Sequence, residues 1–536
     1  MFKRSVSVFL AVCVAFSLLT VKIISLNYSS YAKADGTTAT KTLSIGSTRG
    51  NIYDINMNKL VNYEEKLLCA AKPSADAVSV VRESLSSSES ETVIKSLAEG
   101  YPTLFESQKE IDTDDIKSFK VPIRYSEAQV ASHIIGYIDG EGNGVSGIEK
   151  AYDDLLKQAS GEISVTFSVD ANGRILNGMT PTVNDKNFNS KQGVVLTIDR
   201  EIQLAAEKAM EKIEKGACAM IDCKTGALTA VVSKPDYDRK DLGSALTSNS
   251  SPLVNKAFCA YSVGSVFKPI LAACAIENSA DIKFEHDCSG SLNVDGTSYG
   301  CINRVSHGEV DLAKALQVSC NTYFIKLTQK MTAEAIHEFC SNLGFGTGAQ
   351  LADGMYSQDG ILPETDELGN SGKLANFSFG QGTLTATPVQ LASAYAAIAN
   401  GGEYKYPYLV EGTVDSDGVL TKIDKKPDSK VLSGKTSEEM KKLLASVITE
   451  GNAYYGESSL CTAAGKTGTA QSGIRNENGD EILRTWFVGF FPVNEPMYAV
   501  AVLCEDGISG GKDCGPVFAE IADSVMQIMI DRANKH

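Results

Sequence analysis

Three short groupings in this chain hold residue types suited to acyl transfer. Ser265 and Lys268 stand three apart in YSVGSVFKPILAACAIEN. If Ser265 starts a helix there, Pro269 falls in the first turn, where no backbone N–H is needed. The serine and the lysine then share one face, one turn apart. A hydroxyl so placed is activated by a neutral amine, and the helix N-terminus favours a developing oxyanion. Ser319 and Asn321, in ALQVSCNTYFIK, offer a second hydroxyl and an amide. Lys466-Thr467-Gly468, in AAGKTGTAQSG, offers a cation beside a hydroxyl. Each grouping is cheap by itself. Ser-x-x-Lys occurs three times (Ser30/Lys33, Ser265/Lys268, Ser509/Lys512), and Ser-x-Asn three times, from Ser25, Ser291 and Ser319. A lone copy reads as a capping serine with a surface lysine, or with a turn asparagine.

The elements around them separate the copies. A second Lys-Thr-Gly, Lys224-Thr225-Gly226, lies between ACAMID and ALTAVVS, two strand-like runs that must reverse there. Gly226 supplies the positive φ of a hairpin, so this copy reads as a turn. Before it, DREIQLAAEKAMEKI predicts an amphipathic helix capped by Asp199, with Ile202, Ala205, Ala206, Ala209 and Ile213 on one face. TPVQLASAYAAIANGG predicts a helix with Thr387 as N-cap, Pro388 at N1, Gln390 closing a capping box and Gly401 ending it. The last stretch reads strand (RTWFVGFFP), strand (MYAVAVLCED), helix (FAEIADSVMQIMIDRANKH). A domain over 195–536 with strands at both ends and helices between predicts an α+β fold, an antiparallel sheet flanked by helices. Residues 46–190 mix short strands and loops with no active-site constellation of their own, and 27–45 read as a linker.

Composition narrows the function classes. The chain has 536 residues and a net charge of −16, which argues against nucleic-acid binding. Lys3 and Arg4 precede an apolar run from Val6, interrupted at Lys22. It predicts an uncleaved anchor over 5–26 with 1–4 inside, Lys22 reaching the outer interface. The competing reading is cleavage at Ala32-Lys33-Ala34, which lies far beyond the run. Thirteen cysteines and no C-x-x-C pair give no zinc pattern. The expected disulfide is Cys288–Cys301, across the turn-rich SGSLNVDGTSYG, with two buried thiols as the alternative. So many unpaired cysteines outside the cytoplasm would suit a reducing or anaerobic habitat.

In order, Ser265-x-x-Lys268, Ser319-x-Asn321 and Lys466-Thr467-Gly468 resemble the motif set of the penicillin-binding transpeptidases, shared with class A β-lactamases. The phrases YSVGSVFKP, HGEVDLAKALQVSCNTYF, FSFGQGTLTATPVQ and GKTGTAQ…TWFVGFFP are similar to that family's wording. STRGNIYDINMNKLV and HIIGYIDGEGNGVSGIEKAYDDLL resemble the non-catalytic pedestal of class B penicillin-binding proteins. The chain departs from the family at Ile55 and at Val263, positions with no expected chemistry.

The resemblance implies a five-stranded transpeptidase sheet, a pedestal over 46–190 and a single-span plasma-membrane protein with its catalytic domain outside. It implies acyl transfer on D-Ala-D-Ala stem peptides and inhibition by β-lactams, with no metal or organic cofactor. Ser265 is then the nucleophile, Lys268 the base and Ser319 the proton relay. Asn321, Lys466, Thr467, Gly468 and Thr469 bind substrate, and the backbone N–H groups of Ser265 and Thr469 form the oxyanion hole. It also implies a SEDS-family glycosyltransferase partner. A D,D-carboxypeptidase, a serine β-lactamase, and a structural divisome or elongasome subunit are the competing readings. Division, elongation and sporulation all remain open.

Overall fold

The computed structural model describes residues 2–33, 39–176, 178–280, 282–475 and 478–535. Contacts divide the chain into two compact units. The first comprises Met1–Arg49, Glu64–Ile123 and Ser160–Asn189; the second comprises Gly50–Tyr63, Arg124–Ala159 and Ser190–His536. This division runs differently from the sequence boundary near residue 190. Strand Asn51–Tyr53 pairs in parallel with Gly193–Leu196, and Ile52, Ile134 and Ile148 join the large core of the second unit.

The first unit holds two three-stranded antiparallel sheets. In one, Glu64–Ala71 lies between Thr103–Ser107 and Ile116–Ile123; in the other, Gly161–Val169 lies between Ala39–Thr48 and Thr182–Lys186. Alternation along Gly161–Val169 buries Ile163, Val165, Phe167 and Val169 on one face, as a half-covered strand requires. The N-terminal segment is a helix, Phe2–Lys33. Among the described residues, no helix is long and apolar enough to cross a membrane. Of the expected 27–45 linker, 27–33 continue the N-terminal helix and 39–45 lie in the strand Ala39–Thr48; only 34–38, with Ala34 of the alternative cleavage site, lie outside the described residues.

The second unit is built on a five-stranded antiparallel sheet. Its strands are β1 (Gly216–Asp222), β2 (Leu228–Lys234), β3 (Ala464–Arg475), β4 (Glu481–Phe491) and β5 (Tyr498–Gly507), in the order β2-β1-β5-β4-β3. The first and last strands of the sheet thus pair in its middle, β1 against β5. Helices α1 (Arg200–Ala209), α5 (Pro388–Ala399) and α6 (Gly515–Ala533), with Gly434–Thr449, pack on the sheet, while α2 (Lys268–Glu277), α3 (Leu312–Gln317) and α4 (Asn321–Thr328) pack on one another. Asp199 caps α1 by accepting from the N–H groups of Glu201 and Ile202, and its carboxylate grips Arg532 of α6 at 2.7 Å. In α5 the Thr387–Gln390 capping box forms, and every residue from Pro388 to Ala399 is buried. A helix apolar all round belongs inside, and α5 lies against β1, β4 and β5. Phe487 and Phe491 share a face of β4 and pack on Phe518 of α6.

The first Lys-Thr-Gly lies in the β1–β2 turn. Asp222 accepts from the N–H groups of Lys224 and Thr225, and Gly226 has φ +77°. The second lies in β3, an edge strand.

Candidate active site

Ser265 lies in a 3₁₀ turn, Gly264–Phe267, which runs directly into α2. Three bonds from other elements fix that turn. Trp486 Nε1 of β4 donates to the Ser262 carbonyl at 2.9 Å, the Tyr395 hydroxyl of α5 donates to the Val266 carbonyl at 2.7 Å, and the Gly264 N–H donates to the Gly380 carbonyl at 2.8 Å. Gly264 has φ +62°, and a Cβ there would stand 2.9 Å from the Thr469 carbonyl oxygen. At Gly468 a Cβ would meet the Val263 carbonyl and Val266 Cγ1, each at 3.0 Å. Only glycine lets the turn press against β3 at these two points. The Ser265 hydroxyl is half-buried and makes no hydrogen bond among the described residues.

Lys268 is the first residue of α2 and is fully buried. Its ammonium donates to Asn321 Oδ1 at 2.6 Å, to the Ser319 carbonyl at 2.7 Å and to Ser319 Oγ at 3.1 Å. No carboxylate lies within ion-pair distance of it among the described residues. Burial without a counter-charge penalises the ammonium and pushes its pKa down to about 7; the nearby thiols Cys320 and Cys301 oppose the shift. Lys466 is also fully buried, and desolvation, then repulsion from Lys268, hold it well below its ordinary value.

Ser319 and Asn321 bracket a helix stop. Ser319 follows the C-cap of α3 and has φ +57°, the left-handed conformation usually left to glycine. The Cys320 N–H donates to the Ala315 carbonyl and the Ser319 N–H to the Leu316 carbonyl, the paired bonds of a Schellman stop. A non-glycine residue held left-handed costs about 1 kcal/mol or more, and such strain concentrates at functional sites. Cys320 is the N-cap of α4, so Asn321 starts that helix. Its amide nitrogen donates to the Gly300 carbonyl at 2.8 Å, leaving Oδ1 for Lys268.

The structure thus brings Lys268, Ser319 and Asn321 into one hydrogen-bonded group. It sets the Ser265 turn against Gly468 and Thr469 of β3. Thr467 and Thr469 are half-buried along the same edge, and Thr467 Oγ1 lies 3.4 Å from Asn452 Oδ1. Of the other Ser-x-x-Lys copies, Ser509 precedes the short helix Gly510–Asp513 on the far side of β3 in sequence, and the side chains of Ser30 and Lys33 are outside the description. The sequence reading missed Trp486, Tyr395 and Gly380 as supports. The only tryptophan of the chain, in TWFVGFF, was the available signal.

The expected Cys288–Cys301 disulfide is not formed; the two sulfurs are 3.7 Å apart and both are free thiols. The hairpin that was to close them does form. Ser291–Val294 pairs with Thr297–Gly300 around Asp295-Gly296, both with positive φ. It brings the cysteines near each other, but beside His307 and Cys320 rather than in bonding geometry. Those four residues are the group among the described residues whose side chains could together hold a metal.

The profile of the penicillin binding protein transpeptidase domain matches residues 216–523. The chain is 30% identical over 461 residues to Stage V sporulation protein D of Bacillus subtilis, covering 81% of this chain and 68% of that protein. It is 29% identical over 435 residues to the peptidoglycan D,D-transpeptidase MrdA of Acinetobacter baumannii, covering 72% of this chain and 63% of that one. The matched region therefore spans about two thirds of these relatives. The fold is similar to that of penicillin-binding protein 3 of Mycobacterium tuberculosis in complex with aztreonam, with a TM-score of 0.66 at 21% identity over 91% of this chain and 97% of that one.

Proposed function

This chain belongs to the penicillin-binding protein transpeptidase family, and we propose that it is a class B peptidoglycan D,D-transpeptidase that works through an acyl-enzyme on Ser265. The observation that carries the reading is Lys268: a fully buried lysine that, among the described residues, has no carboxylate partner and stands one turn from an unbonded serine hydroxyl. Such an amine is a base near neutral pH.

In the proposed reaction, Ser265 Oγ attacks the carbonyl of the penultimate D-Ala and Lys268 takes its proton. The negative oxygen of the tetrahedral intermediate faces the backbone N–H groups of Ser265 and Thr469. Collapse breaks the peptide bond, and the terminal D-Ala leaves as an amine after receiving a proton through Ser319. The Ser319 hydroxyl is suited to this relay because it already accepts from the Lys268 ammonium. An amine of a second stem peptide then attacks the ester, and Ser265 recovers its proton. Asn321 holds Lys268 in place. Lys466 with Thr467 and Thr469 receives the substrate carboxylate. A buried, destabilised Lys466 supports that role, since the incoming carboxylate supplies the missing counter-charge. β-Lactams enter the same acylation and stop at the ester.

A donor stem peptide ending in D-Ala-D-Ala, incubated with an amine acceptor peptide, is expected to give crosslinked dimer with release of D-Ala. Hydrolysed donor as the sole product, even at high acceptor concentration, would establish the D,D-carboxypeptidase reading instead.

The anchor belongs to the same proposal. The apolar run from Val6 in the sequence, preceded by Lys3 and Arg4, supports an anchor over 5–26 with the catalytic unit outside, and the helix Phe2–Lys33 leaves Val12, Val14, Phe16, Leu18, Leu19, Val21, Ile23 and Ile24 exposed. The family resemblance supports a SEDS-family glycosyltransferase as partner. The protein is expected in the membrane fraction, co-purifying with a polytopic protein in mild detergent. A soluble, shortened chain would contradict the anchor, and purification with no polytopic protein would contradict the partner.

A further inference from the structure

Asn452 stands between two of the three motifs and belongs to none. The helix Gly434–Thr449 packs on β3, and just after it the chain turns at Gly451-Asn452. On one side this turn meets α3. The Asn452 N–H donates to the Gln317 carbonyl at 3.0 Å, two residues before Ser319. The Gln317 amide in turn donates to Ser446 Oγ and to Glu450 Oε2, each at 3.2 Å, which ties the end of α3 to the end of that helix. On the other side the turn meets β3. Asn452 Oδ1 lies 3.4 Å from Thr467 Oγ1. Thr467 is held from further directions as well. Its carbonyl accepts from the buried Lys466 ammonium at 3.2 Å. A Cβ at Gly511 would stand 3.7 Å from Thr467 Cγ2, so the methyl of Thr467 faces Gly511 and its hydroxyl faces Asn452. With the heavy atoms so placed, the direction of the hydroxyl proton is what is left to set.

A threonine hydroxyl has one proton to give, and a carboxylate only accepts. While the Thr467 proton points at Asn452 Oδ1, it is turned away from any carboxylate that comes to β3. The contact is long beside the usual hydroxyl bond of about 2.7–2.8 Å, so an ionised acceptor, which bonds more strongly, takes the proton over. Asn452 loses nothing by this. A half-turn of its amide about χ2, a soft two-fold torsion, puts Nδ2 where Oδ1 was. The amide then donates to the Thr467 oxygen and fixes the hydroxyl with its proton outward. The Asn452 side chain is exposed and makes no other hydrogen bond among the described residues, so no bond opposes the turn.

We propose that Asn452 is a positioning residue for carboxylate recognition: its amide turns over as a stem peptide arrives and holds the Thr467 hydroxyl as a donor to the terminal D-Ala carboxylate. The inference rests on the transpeptidase reading, which brings that carboxylate to Lys466, Thr467 and Thr469. Lys466 supplies charge there, and Asn452 supplies direction. The role needs an amide, which both gives and accepts. Aspartate has the same shape but only accepts, so it would keep the Thr467 proton for itself. It would also set a second negative charge beside the first. Alanine would leave the hydroxyl free to rotate and to find the carboxylate unaided.

The test uses the full chain in detergent and two synthetic donor peptides, one ending in the D-Ala-D-Ala carboxylate and one carrying the same sequence as its C-terminal amide. Release of the terminal residue, followed over a range of donor concentrations, gives kcat and KM for each. The wild type is expected to prefer the carboxylate. Asn452→Asp should cut that preference on the order of tenfold or more, the worth of one hydrogen bond to a charged group, with the loss in KM for the carboxylate donor. Asn452→Ala should cost less, roughly threefold, although it removes more of the side chain. A packing role predicts the opposite order, because aspartate fills the space of asparagine and alanine does not. In a Thr467→Val background, Asn452→Ala should have no further effect, since the hydroxyl it acts through is gone. The backbone N–H that holds Gln317 survives all of these substitutions, so the losses report on the side chain. Equal losses for the two donors would overturn the proposal. So would an Asn452→Ala deficit that persists undiminished in Thr467→Val. A wild type that forms no Ser265 adduct with either donor would overturn the transpeptidase reading and this inference with it; an adduct together with an unchanged preference in Asn452→Asp would overturn this inference alone.

Discussion

Ser265→Ala is expected to abolish covalent labelling by a fluorescent penicillin, while Ser509→Ala leaves it intact. The two serines share a Ser-x-x-Lys spacing, so spacing alone does not separate them. Support does. The Ser265 turn is held by Trp486, Tyr395 and Gly380 and pressed onto β3 through Gly264 and Gly468. Ser509 precedes a four-residue helix, Gly510–Asp513, that also packs on Gly468, but its Lys512 is exposed where Lys268 is buried. Loss of the nucleophile removes the ester itself, so no relabelled residue replaces it; the expected fall exceeds about three orders of magnitude, or roughly 4 kcal/mol of transition-state stabilisation. Thermal unfolding should barely move, because the Ser265 hydroxyl makes no hydrogen bond among the described residues.

The second large effect is that of Lys268. An exposed lysine with a pKa of about 10.4 is neutral in roughly one molecule in 2,500 at pH 7. A Lys268 lowered to about 7 is neutral in about half of them. The depression alone therefore supplies on the order of a thousandfold more base. The sign follows from the requirement for the free amine. Acylation rises with pH up to a midpoint near about 7 and then levels, in place of a rise that continues toward 10. Lys268→Ala should lower the acylation rate about a thousandfold and remove that midpoint from the profile. A variant that keeps the same profile at full rate would take the base away from Lys268. The same assay separates the two Lys-Thr-Gly copies: Lys466→Ala should lose acylation, and Lys224→Ala, exposed in the β1–β2 turn, should not.

Much of this was legible in the sequence because the signals are local. Thr387, Pro388 and Gln390 spell their own helix start, and the capping box forms as written. Asp222 with Gly226 spells a turn. Asp295-Gly296 spells a hairpin. The Ser319 geometry was not legible, since a serine in a left-handed helix stop looks like any other serine until the Ala315 and Leu316 carbonyls are placed. The long-range supports were hidden for the same reason. Trp486 reaches Ser262 across 224 residues, and Tyr395 reaches Val266 across 129. The expected disulfide failed on such a contact. Cys288 and Cys301 look like a pair only while Cys320 and His307 are far away in sequence. The division of the first 190 residues was blurred because segments 50–63 and 124–159 pack with the later unit, and nothing in their composition announces it.

The central claim is an acyl-enzyme on Ser265 formed from a D-Ala-D-Ala peptide. The most direct measurement is mass spectrometry of the chain quenched during reaction with such a donor peptide, followed by digestion. The predicted result is a mass gain equal to the donor minus one D-alanine, carried by the fragment that contains Ser265. An acyl group on any other residue, or product formed with no adduct in wild type and at undiminished rate in Ser265→Ala, would contradict it.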